Sequence, residues 1–160
     1  MIDSNPSSLG FNSYAGIGDL RDYADSRGIE IPDNNKSLEQ MLTNAMDYLN
    51  NQKWKGQRTK IEQKLPFPRK GLVVDGYEIS SDEIPRQLIH AQCRLAIEAL
   101  DNELSPTIGG EVLSESVSGV VSITYAPGTN SGSPKFPWIK GLLSGILSTS
   151  DGMQFDVYRG

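Results

Sequence analysis

"LPFPRKGLVVDGYEISSDEIP", residues 65–85, lies between two stretches of helical periodicity and decides what kind of fold this chain makes. Pro66 and Pro68 hold the approach extended and bar a helix there. In "VVDGYEI" the Asp75-Gly76 pair is the dipeptide favoured in two-residue type I′ turns, and its flanks are apolar. Loops beyond ~12–15 residues are uncommon in compact domains and tend to carry function or to be disordered. The stretch is too structured for disorder, so it predicts a rigid β-arm over about 72–80, projecting from a helical body. Contact between subunits is a natural use for such an arm; an ordinary surface hairpin covering the core is the plainer alternative.

Upstream, Leu38, Met41, Leu42, Ala45, Met46 and Leu49 recur on one helical face. Burying each larger member stabilises by ~1.5–3 kcal/mol, enough to hold this helix against a partner. Ser37 and Gln40 suit a capping box at its start, and Gly56 lies beyond an end near Trp54. An earlier helix is expected in "SYAGIGDLRDYADSRGI", with Ser13 as its cap and Gly28 as its terminating glycine. Gly16 and Gly18 each cost ~1 kcal/mol inside a helix and make its first turn uncertain.

Downstream, Asp82 and Pro85 open a third helix over about 83–104. Ile84, Leu88, Ala91, Leu95 and Ala99 form one stripe; Ile89, Cys93, Ala96 or Ile97, Leu100 and Leu104 form another. Two apolar faces place this helix centrally or against a neighbouring subunit. The period then changes to two: "EVLSESV" and "VVSITYA" around Ser118-Gly119 predict a hairpin at about 111–126. "FPWIKGLLSGIL" supplies a short last helix with Trp138, Ile139, Leu142, Leu143, Ile146 and Leu147 on its apolar side. Met153, Phe155 and Val157 alternate along an extended tail. The expected architecture is mainly α, a bundle of about four helices with projecting hairpins. Residues 1–12 are expected to be disordered, 13–147 to form a single domain, and 148–160 to form a docking tail.

A chain of 160 residues can bury roughly 70% of its unfolded surface without staples. Cys93 is the sole cysteine, which excludes an intrachain disulfide and any C-x-x-C motif. The start lacks a signal-peptide pattern and no apolar run approaches the ~20 residues of a membrane span, so a soluble, non-secreted protein without membrane contact is expected. The net charge of −5 is unevenly spread. Residues 1–35 hold six acids and two bases, 36–70 three acids and eight bases, and 71–160 eleven acids and five bases. Lys53, Lys55, Arg58, Lys60, Lys64, Arg69 and Lys70 crowd into 53–70 against Glu62 alone. Such a cluster suits phosphate or an acidic protein surface, and equally a solvated loop.

Catalytic signatures are missing from the sequence: no GxxxxGK[ST], GxSxG or HExxH occurs. His90 and Cys93 are one turn apart on the third helix, but nothing in the sequence orients the base, and both suit packing better than a nucleophilic dyad. No enzyme, metal or cofactor is expected.

Several segments together resemble a known family: "NSYAGIGDLRDYADSRG" (12–28), "LTNAMDYLNNQKWKG" (42–56), "QKLPFPRKGLVVDGYEISSDEIP" (63–85) and "LIHAQCRLAIEAL" (88–100). The resemblance continues through "ESVSGVVSITYAPG" (115–128) and "WIKGLLSGIL", and its most specific parts are Trp54-x-Gly56, Gln63, Pro68-Arg69, Gly71, Asp75-Gly76 and Ile84-Pro85. The chain is similar to a tailed-phage family labelled DnaT-like single-stranded-DNA-binding proteins, whose members look like head–tail adaptor, or connector, proteins. It departs at Gly16 and Gly18, where the family has better helix formers, and after residue 147, where the resemblance stops.

The resemblance implies a virion neck protein assembled in the host cytoplasm. It would form a homo-oligomeric ring, typically of twelve subunits, beneath the portal. The ring would extend the channel for double-stranded DNA and present a platform to a downstream neck or tail protein. In that setting Val73, Val74, Tyr77, Ile79, Ile89 and Ile97 are the candidate subunit interface. Lys55, Arg58, Lys60 and Arg69, with Met153, Phe155, Val157 and Tyr158 of the tail, are the candidate docking residues. The rival reading is a single-stranded-DNA-binding module, with the 53–70 cations around Trp54 and Phe67 as stacking surfaces.

Overall fold

The computed structural model describes residues 1–102, 104 and 136–148. Among them are four helices, α1 (Ile17–Ser26), α2 (Asn35–Asn50), α3 (Arg86–Glu98) and α4 (Pro137–Leu142). Two antiparallel ribbons join α2 to α3: β1 (Gln57–Arg58) with β2 (Arg69–Lys70), and β3 (Val73–Val74) with β4 (Tyr77–Glu78). The fold is mixed but mainly helical, as the periodicity predicts. The hairpin expected at 111–126 and the tail residues Met153, Phe155, Val157 and Tyr158 lie outside the described residues.

Helices α2 and α3 form the central pair, α1 packs on both, and α4 closes on α3. The buried side of α2 is Leu38, Met41, Leu42, Ala45, Met46 and Leu49, the six positions its period marks. Its start differs from expectation. Asn34 is the cap, its side-chain oxygen accepting from the Ser37 amide at 2.8 Å, so Ser37 and Gln40 lie inside the helix. A residue able to cap stood one turn upstream, and the helix began there. At the other end α2 stops at Asn50, short of Trp54.

Helix α1 begins at Ile17, and Ser13 is not its cap. Gly16 takes the N-cap position, and Asp19 reaches back to accept from the Gly16 amide at 2.7 Å. Its end is as predicted. Gly28 has φ +64°, its amide donates to Asp25 O, and the Ile29 amide donates to Ala24 O, a Schellman closure. Helix α3 is shorter than 83–104. Pro85, extended at φ −58° and ψ 139°, holds the N-cap position, and a proline disfavours helical geometry in the residue before it.

One polar side chain sits at the centre of this body. Gln92 is fully buried on α3 and accepts from the Tyr14 and Ala15 amides at 2.9 and 2.7 Å. Its amide group donates to the Ser13 hydroxyl at 2.7 Å and to Leu42 O at 3.0 Å. Four bonds satisfy the group and tie the segment before α1 to both central helices. Ser13 is therefore a link in the core. Ahead of it, residues 1–12, where composition suggests disorder, carry turns closed by Asp3: its amide donates to Asn12 Oδ1 at 2.8 Å, and Asp3 O accepts from the Asn12 amide at 2.9 Å.

The last described segment returns to the start of the excursion. Leu147 bridges Trp54, the Lys55 amide donates to Ile146 O, and the Ser148 amide donates to Lys53 O. Helix α4 ends at Leu142, and Gly145, at φ +93°, turns the chain so that Leu143 and Ile146 stay buried. Among the described residues no helix is long and apolar enough to cross a membrane.

Candidate functional site

The non-helical excursion is longer than residues 65–85; it begins as soon as α2 ends. Gly56, at φ +73°, turns the chain into β1, and a side chain there would collide with the Lys70 carbonyl and with Leu72. β1 pairs with β2 so that Gln57 faces Lys70 and Arg58 faces Arg69. The loop between them is braced from inside. Gln63 donates to Leu65 O and Pro68 O, both at 2.9 Å, and accepts from the Lys60 amide.

Arg69 organises the base of this loop. Its guanidinium donates to the carbonyls of Lys55 at 2.6 Å, Gly56 at 2.8 Å, Pro66 at 3.1 Å and Trp54 at 3.4 Å. The planar five-donor fork is suited to gathering several acceptors at once. Burial, with Arg58 beside it, lowers the guanidinium from its ordinary value. Of the candidate docking residues, Arg69 thus has its donors turned to its own backbone. Lys55, Arg58 and Lys60 are exposed, as are Lys53, Lys64 and Lys70. Arg58 also donates to Gln63 O at 3.1 Å. Ile61, at the loop tip, is 93% exposed.

The two aromatic side chains of this segment face inward. Phe67 has no exposed surface, and Trp54 meets it edge to face with ring centroids 5.0 Å apart. Tyr14 meets Phe67 from another side at 5.9 Å, and its hydroxyl accepts from the Phe67 amide. Burial raises the Tyr14 phenol above its ordinary range. The Trp54 indole donates to Leu49 O at 3.3 Å.

In the arm, Asp75 at φ +54° and Gly76 at φ +83° make the two left-handed positions that a type I′ turn requires. Val74 faces Tyr77 and Val73 faces Glu78. Side chains alternate along a strand, so Leu72, Val74, Tyr77 and Ile79 share one face. Leu72 is buried, and Val74 and Ile79 are half-buried against the core. Gly145 lies beneath Val74 so closely that an added carbon would sit 3.0 Å from its methyl. The arm is therefore laid on the body along most of its inner face. Tyr77 is the exception: it belongs to the inner face yet is 77% exposed, overhanging at the tip. Val73, on the outer face, is 58% exposed. Ile89 and Ile97 on α3 are half-buried against the chain's own core.

A second feature lies between α1 and α3, an open groove of about 360 Å³ that includes Tyr23, Ile89, His90 and Cys93, with Arg27 and Arg86 at its rim. The rings of Tyr23 and His90 are 5.8 Å apart, and the Arg27 guanidinium stacks 3.8 Å from the Tyr23 ring centroid. Cys93 is 1% exposed, and burial pushes its thiol up to about 12. That is opposite to the shift that activates a cysteine. No group of three His, Cys, Asp or Glu side chains among the described residues is placed to hold a metal ion.

Sequence reasoning missed Gln92 and Tyr14, and it marked Gln63 only through the family resemblance. Gln92 offered one signal, an amide side chain amid the apolar positions of α3; Tyr14 accepts from the Phe67 amide, 53 positions away, and offered none, whereas Gln63 braces its own loop through groups within five residues of it. In comparisons with known proteins, a family model described as "Putative DnaT-like ssDNA binding protein" matches residues 2–160, past the point at residue 147 where the recognised resemblance ends. No curated protein and no solved structure matches.

Proposed function

The chain belongs to that DnaT-like family, and from this premise we propose that it is a structural subunit of a tailed-phage neck, a head–tail adaptor that assembles with copies of itself into a ring beneath the portal. One observation carries the reading: of the aromatic side chains of the basic segment, Phe67 is buried in the core and Trp54 is half-buried against it, while the apolar overhang of the arm, Tyr77, is outside. A single-strand-binding groove needs exposed rings on which bases stack. A subunit needs unpartnered apolar surface that a neighbour covers. In the ring, Lys55, Arg58 and Lys60, which are exposed, would meet an acidic surface such as a portal rim. Met153, Phe155, Val157 and Tyr158 would add as a strand to a partner's sheet edge. The acid-rich remainder of the chain suits a lumen along which duplex DNA slides without sticking.

Native mass measurement and negative-stain microscopy of the purified chain, alone and with portal, test the reading. Closed rings are expected; a monomer under both conditions overturns it. The second reading, a single-stranded-DNA-binding module, is favoured by the family description and by six exposed cations in 53–70. Tight binding to an unstructured oligonucleotide that weakens steeply as salt rises would support the module. An absence of binding at every salt concentration is the outcome the adaptor reading expects.

A further inference from the structure

Tyr77 stands on the face whose other members, Leu72, Val74 and Ile79, are buried or half-buried, yet it is itself 77% exposed, with no cover among the described residues. Its flanks are acidic and exposed: Asp75 in the turn and Glu78 on β4. The groove between α1 and α3 offers a counterpart to each feature, its two arginines lying beside Asp19 and Asp22. Its walls include Tyr23, His90 and the half-buried Ile89, and its rim carries two exposed arginines, Arg86 and Arg27, the latter with its guanidinium stacked on the Tyr23 ring. At about 360 Å³ it has ample room for one aromatic side chain. Asp22, also at the groove, is an acceptor for a phenol O–H, whereas Asp19 is already turned back on the Gly16 amide.

Arm and groove belong to separate parts of the molecule, since neither β3 nor β4 packs on α1 or α3. We infer that the arm tip of one copy enters the α1–α3 groove of the next, with Tyr77 as the inserted side chain and Asp75 and Glu78 set against Arg27 and Arg86. The contact joins two different surfaces, so a row of copies always has one free tip at one end and one free groove at the other. Repetition of such a contact closes a ring when the rotation allows it. A tyrosine anchored in an apolar recess and flanked by opposite charges is the composition of an interface hot spot. This inference rests on the ring reading and specifies which surfaces meet.

Two full-length variants test it. Tyr77→Ala removes the inserted side chain and leaves the groove; Ser26→Trp, at an exposed groove position, fills the groove and leaves the arm. Each alone is expected to need at least about 30-fold more protein for half-assembly. Mixed in equal amounts, they are expected to form a one-to-one dimer by native mass, because one good tip and one good groove remain. Circular dichroism and thermal melting are expected to match the wild type for both. Wild-type-like assembly of Tyr77→Ala overturns the inference and leaves the ring reading intact. Two monomeric variants that fail to pair on mixing overturn the groove assignment in the same way. A wild-type chain that stays monomeric at every concentration, alone and with portal, overturns the inference and the ring reading together.

Discussion

The helical body and the excursion from 51 to 80 are held by different means. In α2 and α3 the same kind of contact is made repeatedly, apolar side chain on apolar side chain, so losing one leaves many. In the excursion a few residues each make a contact of their own. Phe67 joins the loop to Trp54 and Tyr14, Arg69 gathers four carbonyls, and Gly56 alone leaves room for the Lys70 carbonyl. Redundancy makes a region readable and tolerant; singular contacts make it specific and brittle.

The sharpest attack on that contrast is Phe67→Ala. Its side chain is fully buried between loop and body, so about 3–5 kcal/mol of global stability is expected to be lost. Chemical denaturation measures it, and a loss below about 1 kcal/mol would make the excursion an ornament on an independent core. Next, Gln92→Leu puts a singular contact inside the repetitive region. The Tyr14 and Ala15 amides lose their acceptor, at about 1–3 kcal/mol for each stranded group. Amide exchange at 13–15 is expected to accelerate well before exchange in α2.

Those two variants also mark how far the sequence is legible. The six buried positions of α2, the Schellman end at Gly28 and the type I′ turn at Asp75-Gly76 follow from local chemistry, because period, cap and turn act over a few residues. The β1–β2 pairing, the Arg69 hub and the Gln92 cluster do not. Each depends mainly on groups brought together across 11 to 79 positions, and no spacing rule encodes that. The candidate site divides likewise. The arm could be read from Asp75-Gly76, but only the fold separates the overhanging Tyr77 from the seated Val74 and Ile79. The basic segment was visible as a charge cluster, whereas the inward turn of Trp54, Phe67 and Arg69 was not.

Smaller effects refine the comparison. Arg69→Lys keeps the charge but loses the fork, and about 1–2 kcal/mol is expected. Amide exchange is expected to rise across 54–70 while α2 and α3 keep their protection; equal loosening of both regions would deny the hub its local role. The smallest effect is set by pH. The Cys93 thiol is raised from 9.0 to about 12 by burial, so the folded state favours the protonated form. Its contribution is fully present below the unfolded value of 9.0 and is lost as pH rises toward about 12. The raised Tyr14 phenol adds to the same alkaline fall. Cys93→Ala is expected to flatten part of that slope, measured as melting temperature against pH, and to leave the profile between pH 6 and 8 unchanged in shape.

Gly145 has a mechanical consequence. With Val74 resting directly on it, the turn after α4 and the root of the arm mesh like two gear teeth. A side chain added at 145 would press on Val74, so the footing of the arm depends on that residue staying a glycine.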